Sequence, residues 1–399
     1  MKHLFPGATG HFSLIQGCYW MTYCILISFS SLYLLDRGFT NTQIGLLLGI
    51  AGLTAAILQP FVGAKGDHLK VLSLRQFTSL PIAAMILCGV GLFLVPAKPV
   101  QAALYMVLLV LLQLLTPLIY SLGMDCLNNH IELNFGLARG IGGGTYALAS
   151  AVCGSLAAAL GARVIPLVLV VAVALMLAFT FTFRQGGPVK ATLPKPDALP
   201  QSDGTPFLKK YPQVLPLLIG VILLYTSHNV IMNFPYQIVR SLGCGSAEMG
   251  HYLTLQSLMD IPAMVVFSLL LKRASSRAWV RLTGISFFLH ALLTWLAPNL
   301  PFLMVVQVFE MSGYALYSVS SVYFVNEMVD LCDRVQGQTY FTMANTIGIV
   351  LSSVLGGRLL DLGGASAALC LATVTGAAGM VILWFLLRRK SLRPATNAA

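Results

Sequence analysis

Hydrophobic positions in this chain come in long unbroken runs rather than in the strict alternations or narrow stripes of a water-soluble fold. Twelve runs can be read, near residues 10–35, 42–64, 72–95, 102–124, 138–160, 164–184, 212–238, 246–271, 279–297, 301–326, 337–359 and 365–387. Each is close to the about 20 residues a helix needs to cross hydrocarbon. Backbone groups in lipid must bond within their own segment, so such runs predict α-helices. The predicted fold class is an all-α polytopic membrane protein with twelve transmembrane helices in two pseudo-symmetric six-helix halves. Between the sixth and seventh runs lies RQGGPVKATLPKPDALPQSDGTPFLKKYP (184–212), rich in Pro, Gly and charge, which reads as a solvated connection. It divides the chain into an N-terminal half (1–184), a cytoplasmic linker (185–211) and a C-terminal half ending in a cytoplasmic tail (212–399).

The halves echo each other. LLDRGFTNTQIGLLLG (34–49) and QIVRSLGCGSAEMGHYLT (237–254) each carry an Arg, a Gly-containing turn and a Gly near the start of the next helix. RGIGGGTYALASAVCGSLA (139–157) and QGQTYFTMANTIGIVLSSVLGG (336–357) are both strings of small residues, which let helix backbones approach closely in lipid. Two echoes at matching positions predict a duplicated arrangement of the kind in which a solute binds near the membrane midplane.

Composition agrees with this pattern. Of 399 residues 57% are hydrophobic and only 9% charged, with a mean hydropathy of +0.83, whereas a soluble domain carries roughly a quarter charged residues. The net charge of +11 reports topology. With the N-terminus inside, 19 of the 24 Lys and Arg fall on inner loops and helix ends and 5 (Arg37, Lys98, Arg163, Arg240, Arg358) outside, as the positive-inside rule requires. Both termini are thus expected in the cytoplasm, in a bacterial-type cytoplasmic membrane. Basic residues scattered over short loops argue against nucleic-acid binding. Eight cysteines form no C-x-x-C pair, so no disulfide framework or zinc site is indicated. Residues 1–10 lack a cleavage site, and the first run is expected to serve as an uncleaved signal. No metal cluster, nucleophile elbow or phosphate loop is recognisable, so no enzyme, cofactor or metal is predicted.

The ionisable residues inside the runs stand out. The acids are Asp125, Asp260 and Glu310; the bases are Arg139, His228 and His290. A charge at bilayer depth costs about 3 kcal/mol on insertion scales, so each must face a wet cavity or a partner. Glu310 follows Pro301 by nine residues, or about 14 Å along a helix, near the midplane. Burial disfavours its charged form, and a carboxyl that gains and loses a proton there is a candidate proton carrier. His290, on the preceding run, is its candidate companion. Gln307, Glu310, Tyr314 and Tyr317 fall on one side of their helix. Tyr225, His228, Asn229, Asn233 and Tyr236 form a polar stripe on the seventh run, wide enough to line a cavity. Arg139, Gly143, Tyr146 and Ser150 share a face on the fifth, pairing forked donors with an aromatic ring, which suits a sugar. Asp125 sits across the loop from Arg139.

Three stretches resemble the lactose permease family, the oligosaccharide:proton symporters of the major facilitator superfamily. NFGLARGIGGGTYALAS (134–150) is similar to that family's sugar-binding fifth span, TQIGLLLGIAGLTAAILQPFVGAKGD (42–67) to its second, and VQVFEMSG (306–313) to its tenth. The resemblance runs over nearly the whole chain. It implies that Glu310 carries the proton, that Arg139 and Tyr146 contact solute, and that Gly63, Asp67 and Lys70 latch the cytoplasmic side. It also has departures. Asp125 stands where the family has Glu, Ser257 (with Asp260 a turn later) where it has a sugar-ligand Glu, His290 where it has Arg, Gln307 where it has His, and Tyr146 where it has a stacking Trp. The sequence therefore predicts a proton-coupled symporter importing a small polar solute, a sugar or glycoside, by alternating access. Asp125, Arg139, Tyr146, His228, Asn229, Asn233, Asp260, Gln307 and Tyr314 are the predicted solute contacts. Its partners are solute, protons and membrane lipid, and a monomer is expected to suffice. A nucleoside or aromatic-acid symporter, a drug or metabolite antiporter, and a non-transporting receptor of the same fold stay open.

Overall fold

The computed structural model describes residues 7–67, 73–128, 131–183, 206–270 and 274–388. Regular structure among them is entirely helical. The helices are α1 (Gly7–Tyr23), α2 (Ser30–Asp36), α3 (Asn41–Asp67), α4 (Leu74–Leu94), α5 (Lys98–Asn128), α6 (Phe135–Leu160), α7 (Ile165–Thr182), α8 (Phe207–Lys210), α9 (Val214–Asn233), α10 (Pro235–Ser241), α11 (Ser246–Leu270), α12 (Ser276–Trp295), α13 (Leu300–Val306), α14 (Val308–Glu310), α15 (Leu316–Met328) and α16 (Arg334–Arg388). Eight helices among the described residues are long and apolar enough to cross a membrane, or nine when α1 and α2, bent by 48° about a π-helical turn, are taken as one span. α16 enters that count once, although Gly363 and Gly364 leave helical geometry in its middle. Its arms correspond to the predicted runs 337–359 and 365–387. Large apolar side chains stand exposed along many of these helices, Leu87 at 74% and Phe61 at 69% among them, which hydrocarbon accepts and water does not.

Helix ends follow local chemistry. Ser73 and Gln76 form a reciprocal capping box at α4. Asn134, Ser275 and Asn299 cap α6, α12 and α13 through their side-chain oxygens. Pro235, which lacks an N–H, breaks the seventh run into α9 and α10. The duplicated turns are visible in the backbone. Gly38 (φ 76°) and Gly161 (φ 82°) recur, at nearly the same offset, as Gly243 (φ 77°) and Gly364 (φ 67°). All four adopt the left-handed region that glycine enters without a Cβ penalty.

The chain clusters into two compact units, Met1–Ala191 with Asn233–Leu258, and Thr192–Met232 with Met259–Ala399. In the first, α1 packs on α6 and α7, and α4 on α5 and α7. An antiparallel seam joins α6 to the opening turns of α11. The Ser257 hydroxyl donates to the Gly143 carbonyl (3.0 Å) and the Thr254 hydroxyl to that of Ala147 (2.9 Å). Further along, Gly154 and Gly250 meet so closely that a Cβ on Gly250 would lie 2.5 Å from the Ser150 carbonyl oxygen. Gly63 and Asp67 belong to the last turns of α3; Lys70 lies outside the described residues, as do most of the linker and the tail.

In the second unit α12 packs on α15 and α16. The core runs from Phe207 and Tyr211 through Leu217, Val221 and Tyr225 to Phe287, Tyr317 and Phe324. The end of the predicted linker is part of this unit. The Lys210 ammonium donates to Asp333 at 2.7 Å and pairs with Asp330 at 3.1 Å. The Tyr211 hydroxyl donates to both carboxylates at 2.9 Å and accepts from the Asp330 N–H. This network clamps the foot of α9 to the connection between α15 and α16. Its hydrogen bond to Asp333, followed by that to Asp330, holds the Lys210 pKa well above the usual lysine value.

Two outcomes follow from these contacts. Gly250→Ala meets backbone rather than a movable side chain, and should lower the stability of the detergent-solubilised protein by about 1–3 kcal/mol, whereas Gly144→Ala, with nothing within 4 Å, should be neutral or stabilising by up to about 1 kcal/mol. Thermal unfolding of the two variants checks this. Asp333→Asn should cost about 1–3 kcal/mol by leaving Lys210 and Tyr211 short of an acceptor. A raised lysine pKa gives stability that is complete below the ordinary value of 10.5 and is lost only as pH climbs through the higher folded value. The Asp333→Asn loss should therefore be the same throughout about pH 6 to 9, and unfolding across that range measures it.

Candidate functional site

The second unit contains a buried cluster built from three helices. α13 is capped by Asn299, and the helix is re-set at Gln307, just before α14. Directly after Glu310 comes a π-helical turn, Met311–Ala315; such one-turn insertions re-aim side chains and concentrate at functional sites. Glu310 ends up 2% exposed. Its Oε2 lies 3.5 Å from Nδ1 of His290, on α12, and 3.6 Å from Nδ1 of His228, on α9. The imidazoles are 1% and 4% exposed. Both distances exceed a hydrogen bond but are within ion-pair reach once an imidazole is protonated.

Aromatic rings wall the cluster. Tyr314, from the π turn, lies parallel to His228 at 4.9 Å and 5°. Phe287 meets the same imidazole edge-on at 5.4 Å, and Tyr225 at 6.5 Å. Gln307 is buried beside His290, its amide donating to the Leu303 carbonyl at 3.0 Å. A carboxylate removed from water loses several kcal/mol of hydration, and the two imidazoles are among the groups placed to compensate it. Chemically, the three side chains can pass protons among themselves, and they offer one metal-ligand atom each, all within 4.8 Å of one another.

Glu310, His290, His228, Gln307 and Tyr314 are thus brought together. His228, which the sequence places in a solute-lining stripe, faces Glu310 as directly as His290 does. From the same stripe, the Asn229 amide donates to the Tyr225 carbonyl at 2.9 Å, and Asn233 is buried. Asp260 is half-buried in α11, two residues before Pro262.

Asp125, Arg139 and Tyr146 belong to the first unit. The Arg139 guanidinium stacks on the Trp20 ring at 3.8 Å, not on Tyr146. The Tyr146 hydroxyl is hydrogen-bonded to Ser28 at 2.6 Å, within a second π-helical turn, Cys24–Ser28. Ser150 bonds Cys24 at 3.1 Å, and Gly143 accepts from Ser257. The predicted sugar face of α6 is therefore largely a packing seam, with Arg139 reaching past it. Asp125 is half-buried near the end of α5. Sequence reasoning misses Trp20 and Gln16, one turn apart on α1. Gln16 is fully buried, and neither its amide oxygen nor its nitrogen has a hydrogen-bond partner among the described residues. The signal available is an amide inside an apolar run, next to the aromatic residues Tyr19, Trp20 and Tyr23.

Among solved structures the chain is similar to the nucleoside transporter NupG, with a TM-score of 0.75 at 15% identity over 96% of this chain and 99% of that one. It is also similar to a bacterial homologue of the iron transporter ferroportin in an inward-facing state (0.70, 14%, 96% and 99%) and to an auto-inhibited POT-family peptide transporter (0.69, 10%, 99% of both). At such identities these likenesses report fold. Comparison with curated proteins gives no significant match. None of these findings singles out the oligosaccharide:proton branch that the motifs resemble. Residues 13–370 match the MFS_1 like family. The chain belongs to that family, and is a multi-pass membrane transporter of the major facilitator type rather than an enzyme.

Proposed function

We propose that the protein is a proton-coupled importer of a small polar solute, a sugar or glycoside, working by alternating access. The observation that carries this reading is Glu310, 2% exposed in an apolar unit, with imidazole nitrogens at 3.5 and 3.6 Å as its facing groups. A carboxyl there is neutral when protonated and needs a nearby positive partner when not. Its proton can therefore track the conformational state, and coupling requires that proton and solute bias the same two-state equilibrium. In the first unit the solute contacts are assigned to Arg139 and Asp125, with Trp20 supplying the flat face expected of Tyr146. In the second they are assigned to Asn229, Tyr314 and Asp260. Asp67, with Gly63 and Lys70, is assigned the cytoplasmic latch.

A second reading, a nucleoside, is favoured by Gln16. Its unmet donor and acceptor can pair with the donor–acceptor edge of a base, and the Trp20–Arg139 stack one turn away offers that base a flat face. Thermal-shift measurements of the purified protein against sugars, glycosides and nucleosides separate the two, since a ligand that binds the folded state raises its melting temperature. A shift given by nucleosides and not by sugars or glycosides, and lost in Gln16→Leu, would assign the nucleoside.

Glu310→Gln should abolish accumulation of solute against its gradient in proton-energised vesicles while leaving exchange across a collapsed gradient. Uptake driven by protons at the wild-type level in this variant would remove Glu310 from the coupling role.

A further inference from the structure

We propose that His228, His290 and Glu310 bind one divalent transition-metal ion of zinc-like character. The proposal does not rest on the proton-carrier reading, since an ion can occupy these ligands whether or not Glu310 carries protons in transport. Three features support it. The donor set, two imidazole nitrogens and one carboxylate oxygen, is one that zinc, cobalt, nickel and ferrous ions take readily and that magnesium and calcium, which prefer all-oxygen shells, do not. The spacing is close to what an ion requires. Zinc bonds to nitrogen and oxygen of about 2.0–2.2 Å place tetrahedral donors about 3.4 Å apart, and Glu310 Oε2 stands 3.5 and 3.6 Å from the two imidazole nitrogens. The widest separation within the set is under 4.8 Å, so an inward turn of one imidazole closes the site. Finally, the His228 Nδ1 is buried with no hydrogen-bond partner among the described residues, an unmet group that coordination would satisfy.

The surroundings hold the ligands in place. Tyr314 lies flat on the His228 ring, Phe287 meets its edge, and Gln307 is buried beside His290, contacts that limit how far the rings can move. Electrostatically, an ion with two positive charges facing one carboxylate and two neutral imidazoles exchanges a buried negative charge for a buried positive one. Three protein ligands leave a coordination position for water or for a donor atom of a solute.

The test uses the untagged full chain in detergent, titrated with Zn²⁺ by calorimetry and with Co²⁺ as a spectroscopic probe. One saturable Zn²⁺ per chain is expected, together with the visible absorption of a four- or five-coordinate Co²⁺ site, and Mg²⁺ and Ca²⁺ should not compete. His228→Gln and His290→Gln should each weaken Zn²⁺ binding by at least the roughly 10–100-fold lost with an outer-shell partner, while His251→Gln, at an exposed position, should leave it unchanged. X-ray absorption of the cobalt-loaded wild type should show two imidazoles in the metal's first shell, a readout that does not depend on how the variants fold. No saturable binding by the wild type, unaltered affinity in both histidine variants, or a first shell with fewer than two imidazoles would each overturn the proposal. None of these measurements involves solute flux, so they fail or succeed independently of the coupling role tested with Glu310→Gln.

Discussion

Keeping one carboxyl, that of Glu310, inside an apolar helical unit is the constraint around which the second unit is arranged. A charged carboxylate there forfeits several kcal/mol of hydration, and at 2% exposure bulk solvent cannot return it. The compensation comes from two other helices: α9 presents His228 and α12 presents His290. Both helices lie close against α16, where glycines remove side chains: Gly379 meets Gly220 of α9, Gly348 meets Tyr225 of α9, and Gly376 meets both Ser227 of α9 and Phe288 of α12. The π turn after Glu310 then delivers Tyr314 onto the His228 ring, and the Lys210–Asp333 clamp fixes the foot of α9, the helix that carries that imidazole. Small residues, helix irregularity and an ion pair at the helix foot all serve the same placement.

The first unit uses the same backbone devices for a different polarity. It too has a π-helical turn, Cys24–Ser28, set beside a predicted site residue, Tyr146. Its glycine turns repeat those of the second half of the chain. What the turn holds, however, is a chain of neutral hydroxyls and a thiol, Ser28 to Tyr146 and Ser150 to Cys24. The buried histidine–carboxyl cluster is in the second unit. The first contributes instead a permanently charged Arg139 on a Trp20 face and a buried Gln16 amide. A guanidinium and an amide recognise fixed donor and acceptor patterns and do not titrate, whereas imidazole and carboxyl do. The two units thus use similar backbone devices and bury different chemistry.

Much of this is legible in the chain. Apolar runs of spanning length mark the helices because lipid offers their backbones no alternative, and Gly38 and Gly243 stand out because each follows a short helix end and precedes another. Glu310 is conspicuous since carboxyls in such runs are rare, and the adjacent span supplies His290 as its companion. His228 reads as part of the solute stripe instead. Periodicity gives the face of α9 on which His228 lies, but not which neighbouring helix that face meets. The same limit applies to Tyr146. Its spacing from Arg139 places both on one side of α6, yet whether that side meets solvent or the Cys24–Ser28 turn is decided by tertiary packing. Trp20 carries little signal because aromatic residues are common in membrane helices. Lys210 and Asp333 lie far apart in sequence, and loop charges have many possible partners. The π turns have no sequence signature, since each is an extra residue accommodated by the surrounding packing.

The substitution at position 290 bears most directly on what the cluster can do. In the family whose motifs the chain resembles, that position is an arginine, a charge that never leaves. An arginine facing Glu310 would favour the charged form of the carboxyl. Histidine is positive or neutral near physiological pH, and with two of them the cluster can be neutral throughout or share a single proton among three groups. That freedom makes the burial of Glu310 tolerable without a permanent counter-charge. It also leaves nitrogen lone pairs exposed to whatever electrophile reaches them. A proton and a divalent ion are both such electrophiles, and they compete for the same lone pairs. The lone pairs that would take up a proton here are the ones that would hold a metal, and a guanidinium at position 290 would offer none.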